Sequence, residues 1–343
     1  MKKRIFVGLS GGVDSSVAAH TLLKEGHDVV GVFIKTWQPD FLECTWKEER
    51  LDAMRVAAHL GIPFLTFDAV DAYKRDVADY MIKEYAAGRT PNPDVMCNQH
   101  VKFGVFLQFA KEQGADAVAT GHYARVTHDE EGYHLLRGVD ANKDQSYFLW
   151  TLTQEQLAHT LFPIGDMPKE EVRKVAERVG LPTAQKKDSQ GICFLGAVDM
   201  EEFLGHYIDL KEGAVLNEKG EEVGRHNGAL LYTYGQRHGF EITEKTTHRL
   251  PHFVVDKDIE KNTITVSEVP KEVRDAVVSL DAVNEIQPFE GEVVAQLRYR
   301  GERFSATVQG TAVQFAEDVP KPSAGQSCVL YKGEECLGGG IML

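Results

Sequence analysis

Apolar residues in the first part of the chain fall into short runs separated by stretches of helical period. Ile5–Leu9 is one such run, and HDVVGVFIK, IPFLTFD and ADAVAT are three more; each reads as a buried strand. Between them Val13–Lys24 closes at Gly26, a face of Leu51, Met54 and Ala58 closes at Gly61, and Asp71–Ala87 closes at Gly88. Val101–Gln113 is a further helix. Strands alternating with helices predict an α/β parallel sheet with helices on both faces, whose ligands lie beyond the carboxyl ends of the strands. From about Glu212 the texture changes. VLNEKGEEVG is a hairpin signal, NTITVSE and GEVVAQLRYR are short β-rich runs, and the C-terminal stretch has no helical period. The expected division is 1–206, 207–278 and 279–343, with no internal repeat.

Composition narrows the class. The chain has 343 residues, 43% of them hydrophobic, enough for sizeable cores. No run reaches the roughly 18 apolar residues of a membrane span, and the N-terminal apolar run is short enough to be a strand and not a signal peptide. The five cysteines, Cys44, Cys97, Cys193, Cys328 and Cys336, are odd in number and form no C-x-x-C pair, so a cytoplasmic protein is expected. The net charge of −14 removes bulk attraction to phosphate, leaving local clusters among the 38 Lys+Arg as the basis for nucleic-acid binding; the dense stretches are LRYRGER, KKDSQ and KEEVRKVAER, each of which also reads as a solvated face.

The loop GLSGGVDSS, between the first strand and first helix, carries the first chemistry. Gly11 and Gly12 permit close backbone approach, Ser10, Ser15 and Ser16 supply hydroxyls, and the opening amides of the helix face an anion. No G-K-[ST] follows, so this is not the Walker loop. It resembles the S-G-G-x-D-S pyrophosphate loop of the N-type ATP pyrophosphatases, which split ATP into AMP and pyrophosphate while adenylating an oxygen of a second substrate.

Two cysteines draw attention. Cys97 ends PNPDVMC, and Asn98 reads as the N-cap of the next helix, which would place the thiol just before a helix N-terminus. The dipole supplies roughly 0.3–1 kcal/mol, short of the roughly 1.36 kcal/mol of one pKa unit, so a neighbouring base or cation is needed; Asp94 is a candidate, either as proton acceptor or to protonate or position the substrate base. Cys193 lies in KKDSQGICFLG, where two lysines favour an anionic sulfur. The alternative for either is a buried small hydrophobe, which is also the reading for Cys44, Cys328 and Cys336.

SGGVDSS, GRTPNPDVMCN, ATGHYAR, NKDQSYFLW, KKDSQGICFLG, YTYGQRHG and CLGGGIM occur in the order seen in tRNA-specific 2-thiouridylases, the MnmA/TrmU family, which the chain resembles from Phe6 to Met342. The resemblance implies a pyrophosphate-loop (PP-loop, adenine nucleotide alpha hydrolase-like) catalytic domain over 1–206, a central tRNA-binding domain over 207–278 and a C-terminal β-barrel over 279–343. It implies a nucleophilic Cys97, a persulfide on Cys193 and a transient Cys97–Cys193 disulfide. It places ATP on Gly8, Leu9, Ser10, Gly11, Gly12, Val13, Asp14, Ser15, Ile34 and Gly121. Contact with the target uridine falls to Asn92, Pro93 and Asp94. Further tRNA contacts fall to His122, Lys143, Asp144, Gln145, Arg298, Tyr299 and Gln326. Ile34 stands where the family often has methionine, and GQRHGFEITEKTTHRLPHF departs from the usual glycine-rich run.

The implied reaction adenylates the C2 oxygen of a wobble uridine and replaces it with sulfur. Mg²⁺ is expected with ATP. A sulfur donor protein, either a cysteine desulfurase or a sulfur relay protein, is expected as a partner of a monomeric, membrane-free enzyme. The base must leave its stack, and Tyr299 in RYR is available to stack on RNA. Three alternatives stay open. One is an iron–sulfur cluster on Asp94, Cys97 and Cys193. Another is a PP-loop ligase for a small molecule, and the third is a sulfur carrier or tRNA-binding protein without turnover.

Overall fold

The computed structural model describes residues 2–42, 45–187, 199–243, 250–274 and 276–343; Cys44 and Cys193 lie outside them. Strands β1 (Arg4–Gly8), β2 (Asp28–Lys35), β3 (Phe64–Asp68), β4 (Ala117–Ala119) and β7 (Thr160–Leu161) form a parallel sheet in the order β3-β2-β1-β4-β7. The two-residue period of a strand sorts its side chains between layers. Ile5 and Val7 of β1 join one core with Ala19 and Leu22 of α1 (Val13–Lys24) and Val56 of α2 (Trp46–Leu60). Phe6 points the other way, into a core with Tyr73, Val77 and Met81 of α3 (70–86) and Val101 and Phe106 of α4 (93–112). The expected α/β sheet is therefore present. One strand differs from expectation: β3 is the sheet edge, with Leu65 38% exposed, so IPFLTFD is not buried on both faces.

Strand order reverses between β1 and β4, since β2 and β3 lie on one side of β1 and β4 and β7 on the other. At such a switch point the loops leaving the strands flank the crevice in which α/β sheets hold ligands.

A hairpin, β5 (Ala124–Asp129) and β6 (Gly132–Arg137), follows β4 and leaves the parallel sheet. Helices α5 (Gln154–Ala158), α6 (Lys169–Arg178) and α7 (Met200–Gly205) come next. Strands β8 (Gly213–Leu216), β9 (Glu222–His226), β10 (Phe240–Ile242), β11 (Phe253–Asp258) and β12 (Thr263–Ser267) make a small sheet around Val215, Tyr232 and Ile264. The last unit holds β14 (Val277–Glu285), β15 (Gly291–Gln296), β16 (Arg303–Gln309), β17 (Ala312–Phe315), β19 (Ser327–Lys332) and β20 (Glu335–Met342), while the short β13 (Glu272–Val273) pairs with β18 (Val319–Pro320). The β14–β20 pairing closes the sheet on itself. The barrel's closing strand is shared: Glu335 and Cys336 pair with β6, while Leu280 and Asp281 of β14 pair with Met342 and Ile341. The glycines of CLGGGIM allow this crowding; a Cβ on Gly340 would lie 2.8 Å from that of Leu280.

All three units meet at Gly88–Thr90, just ahead of PNPDVMC. The Thr90 amide donates to Ala324 O of the barrel at 2.8 Å, and its hydroxyl lies 2.9 Å from that of Thr233 in the middle unit. Lys257 donates to both Gly88 O and Tyr232 O at 2.8 Å.

Candidate active site

The loop after β1 fills the crevice. Gly8 ends β1, and a Cβ there would sit 3.7 Å from Ile34 Cδ1 and 3.7 Å from Phe106 of α4. Leu9 is buried and its amide donates to Val32 O. Gly11 has φ +73°, and a side chain there would meet Glu49 O at 2.6 Å. Ser10 and Ser15 face each other across the loop, with hydroxyls 3.3 Å apart, and Gly12 donates to Ser10 Oγ at 3.4 Å. Val13, Asp14 and Ser15 open α1 with extended Gly12 as N-cap and no side chain bonded there, so the first amides face the crevice. Gly121 follows β4, and a Cβ on it would lie 2.5 Å from the Ser15 amide. The ten residues assigned to ATP are thus brought together by β1 and its two neighbours, β2 carrying Ile34 and β4 leading to Gly121.

Asp14 is the carboxylate of the loop. It accepts from Tyr123 Oη at 2.7 Å and from Lys169 Nζ at 2.7 and 2.8 Å. Tyr123 falls in ATGHYAR and Lys169 opens the basic stretch KEEVRKVAER, but neither was given a role from the sequence: nothing local ties them to Asp14, and Lys169 is 155 positions away from it.

The second cluster is the PNPDVMC turn, and here one expectation is corrected. Asn98 is not a helix cap. The helix begins at Pro93, with Asn92 as N-cap accepting from the Val95 amide at 3.3 Å. It runs on through wider π-type turns over Cys97–Val105 to Phe106–Glu112. Proline at the first helical position lacks the amide that would go unpaired, so Pro93 starts the helix where the sequence suggested a break. Cys97 then lies in the second turn, where the dipole has faded. Asp94 precedes it by three positions, which puts both on one helix face. Cys97 is fully buried, in the core that also holds Phe203 and Leu204 of α7. Asn98 is buried as well; its Nδ2 donates to Phe148 O at 2.9 Å and its Oδ1 has no partner among the described residues. Phe106, nine positions beyond Cys97, packs beneath Gly8, so one helix runs from the thiol to the loop.

Cys193 lies outside the described residues, but the chain on either side is placed. Before it, Thr183 Oγ1 donates to Ser16 Oγ of α1 at 3.0 Å, and Lys186 Nζ pairs with Asp52 Oδ2 at 2.7 Å. Asp52 Cβ is 3.2 Å from where Gly11 would carry a Cβ. After it, Asp199 caps α7. The described residues before Cys193 thus lie beside the loop, and those after it lead into the core of Cys97.

The residues assigned to tRNA divide. His122 is 8% exposed, with Nδ1 2.7 Å from Thr120 Oγ1 and its ring 6.0 Å from Phe103 of α4; burial, then Lys102, hold it well below the usual histidine range, hence neutral. Gln145 Oε1 accepts from the Tyr123 amide. Asp144 is buried and accepts from Arg137 Nε at 2.9 Å and from the Gly138 and Ser146 amides at 3.1 Å. Lys143, Asp144 and Tyr299 line one cavity of about 360 Å³ between the hairpin's exit and the barrel, together with Asn142, Arg300 and Arg303. Arg300 lies over the Tyr299 ring at 5.1 Å. Arg298 does not join them: its Nη2 donates to Tyr234 O at 2.8 Å, holding the YTYGQRHG turn. Gln326 lies on the barrel, two residues from the Ala324 carbonyl that holds Thr90. Cys328 and Cys336 are buried thiols pushed up to about 12 by burial.

Comparison with known proteins matches this layout. The family model described as tRNA methyl transferase HUP domain matches residues 3–197, the tRNA methyl transferase PRC-barrel domain matches 201–268, and the Aminomethyltransferase beta-barrel domain matches 277–342. The tRNA-specific 2-thiouridylase MnmA of Streptococcus thermophilus (strain CNRZ 1066) is 46% identical over 99% of this chain and 95% of its own. The protein of the same name from Akkermansia muciniphila is 46% identical over 98% of both chains, and that of Enterococcus faecalis 45% identical over 99% and 95%. With identity at this level over almost its whole length, the chain belongs to the tRNA-specific 2-thiouridylase family.

Proposed function

We propose that this chain is a tRNA-uridine 2-sulfurtransferase that uses ATP to exchange the C2 oxygen of a wobble uridine for sulfur. The observation that carries the reading is the single helix that presents Asp94 and Cys97 at one end and packs Phe106 under the pyrophosphate loop at the other. It supports one site in which an adenylated base and a thiol share a crevice.

The loop amides and serines hold the phosphates, and the C2 oxygen attacks the α-phosphorus with loss of pyrophosphate. The terminal sulfur of a Cys193 persulfide attacks C2 and displaces AMP, leaving Cys193 joined to the base through a disulfide-like bond. The Cys97 thiolate attacks the Cys193 sulfur, which frees 2-thiouridine and leaves a Cys97–Cys193 disulfide. A dithiol reductant then restores both thiols. Asp94, on the face of Cys97, takes the thiol proton or positions the base. Cys97 is covered here, so the base and the Cys193 segment must reach it from the crevice side. Asp14 fits Mg²⁺, a hard cation that takes one or two carboxylates plus substrate phosphates, and the ion would neutralise phosphate charge. The cavity lined by Lys143, Tyr299, Arg300 and Arg303 would take RNA backbone or a splayed base.

The test is mass spectrometry of nucleosides from tRNA incubated with the protein, ATP and a persulfide donor. 2-Thiouridine with stoichiometric AMP and pyrophosphate supports the reading; ADP and phosphate overturn it. Iron in anaerobically purified protein, with activity that needs it, would favour a cluster on Asp94, Cys97 and Cys193.

A further inference from the structure

The pyrophosphate loop lacks a lysine of its own, and it carries an acid in the first turn of the helix that must receive phosphate. A carboxylate there repels the incoming triphosphate, so a cation is needed nearby. Lys169 is that cation. It opens α6, its amide donates to Asp140 Oδ2 at 3.0 Å, and its side chain is 11% exposed. Its ammonium reaches both Asp14 oxygens, at 2.7 and 2.8 Å, and lies 5.8 Å from the centre of the Tyr123 ring. Tyr123 in turn donates to Asp14 Oδ1 at 2.7 Å. The helix that carries Lys169 packs on α1 through Val172 and Ala176 against Val13 and Val17, which fixes its first residue at the loop mouth.

We propose that Lys169 is the pyrophosphate-binding residue of this enzyme, taking by tertiary contact the place that a Walker loop fills by sequence. In the ligand-free state its ammonium rests on Asp14. When ATP enters, the ammonium turns to the β- and γ-phosphate oxygens and stays with pyrophosphate as it leaves. AMP, which lacks those groups, gains nothing from it. The inference rests on the ATP-dependent reading above.

The test is calorimetric titration of the full chain with ATP, pyrophosphate and AMP, in EDTA so that no metal intervenes. Lys169→Met keeps the aliphatic stem and is expected to weaken ATP and pyrophosphate at least tenfold while AMP stays within twofold; Lys169→Arg is expected to recover most of the ATP affinity. Equal weakening of ATP and AMP in Lys169→Met would mean a structural role, and no weakening of either would mean none; both overturn the proposal. Asp14→Asn/Lys169→Met separates the remaining case. If the double variant binds ATP like the wild type, Lys169 only neutralises Asp14 and the proposal fails; continued weakness supports it. Wild-type protein that binds no ATP, with or without metal, would sink the ATP reading itself.

Discussion

Replacing Cys193 with serine is expected to abolish 2-thiouridine while tRNA-dependent pyrophosphate release continues, because the oxygen is activated before sulfur arrives. Cys97→Ser is expected to lose thiolation too, yet to leave Cys193 able to accept persulfide sulfur, which peptide mass spectrometry checks. Cys328 sits in the barrel core with its thiol pushed up to about 12 by burial, so it is neither thiolate nor nucleophile at neutral pH. Cys328→Ser should keep turnover per folded molecule and lower stability by about 1–3 kcal/mol, the cost of burying an unmatched hydroxyl. The β-like alternation around Cys328 and Cys336 made both legible as core. The setting of Cys97 was not, because Pro-Asn-Pro reads as a chain break although Pro93 in fact opens the helix on an Asn92 cap. The contacts of Lys169 and Tyr123 with Asp14 were illegible for another reason: the sheet and α6 bring the three together, not neighbouring sequence.

At the scale of elements, two positions hold the site's geometry. Asn92→Ala removes the cap of the helix that carries Asp94 and Cys97. The expected cost is about 1 kcal/mol in a denaturant melt, with a larger fractional loss of kcat if the proposed roles of Asp94 and Cys97 hold, because both then shift. Unchanged kcat alongside that loss would separate the cap from the chemistry. Gly121→Ala places a Cβ 2.5 Å from the Ser15 amide, so the opening of α1 must move. ATP affinity is expected to fall at least tenfold by calorimetry while the secondary structure seen by circular dichroism holds. The strand–helix alternation that forms this crevice was readable from residue 5 to residue 120. The β5–β6 hairpin was not read, although ARVTHDEEGYHLLR alternates on both sides of a glycine turn. Its role could not be read at all, since its partner Glu335–Cys336 is some two hundred positions away.

In the whole molecule Lys257 ties the middle unit to Gly88, ahead of the PNPDVMC turn, and its ammonium is lowered to about 8 by burial and then by Lys321. Below about 8 both folded and unfolded chains carry this charge. Between about 8 and the ordinary 10.5 the unfolded chain binds more protons, so this group makes stability rise with pH. Urea melts of wild type and Lys257→Met are expected to diverge in the wild type's favour across that window; parallel curves would contradict the assignment. The net charge of −14 gives no hint of the cationic cleft at Arg300 and Arg303, because a formal sum carries no geometry. tRNA affinity should therefore come from local contacts and drop steeply between about 50 and 200 mM salt. Arg298→Ala is expected to weaken it by releasing the Tyr234 turn. The proposed reaction joins activation at the loop to sulfur transfer at Cys97, and one single-turnover experiment tests that joint. Persulfide-loaded protein is mixed with ATP and tRNA without reductant, and the tRNA nucleosides and protein peptides are analysed by mass spectrometry. One 2-thiouridine and one AMP per Cys97–Cys193 disulfide is the predicted result; 2-thiouridine formed while Cys97 remains a thiol would contradict it.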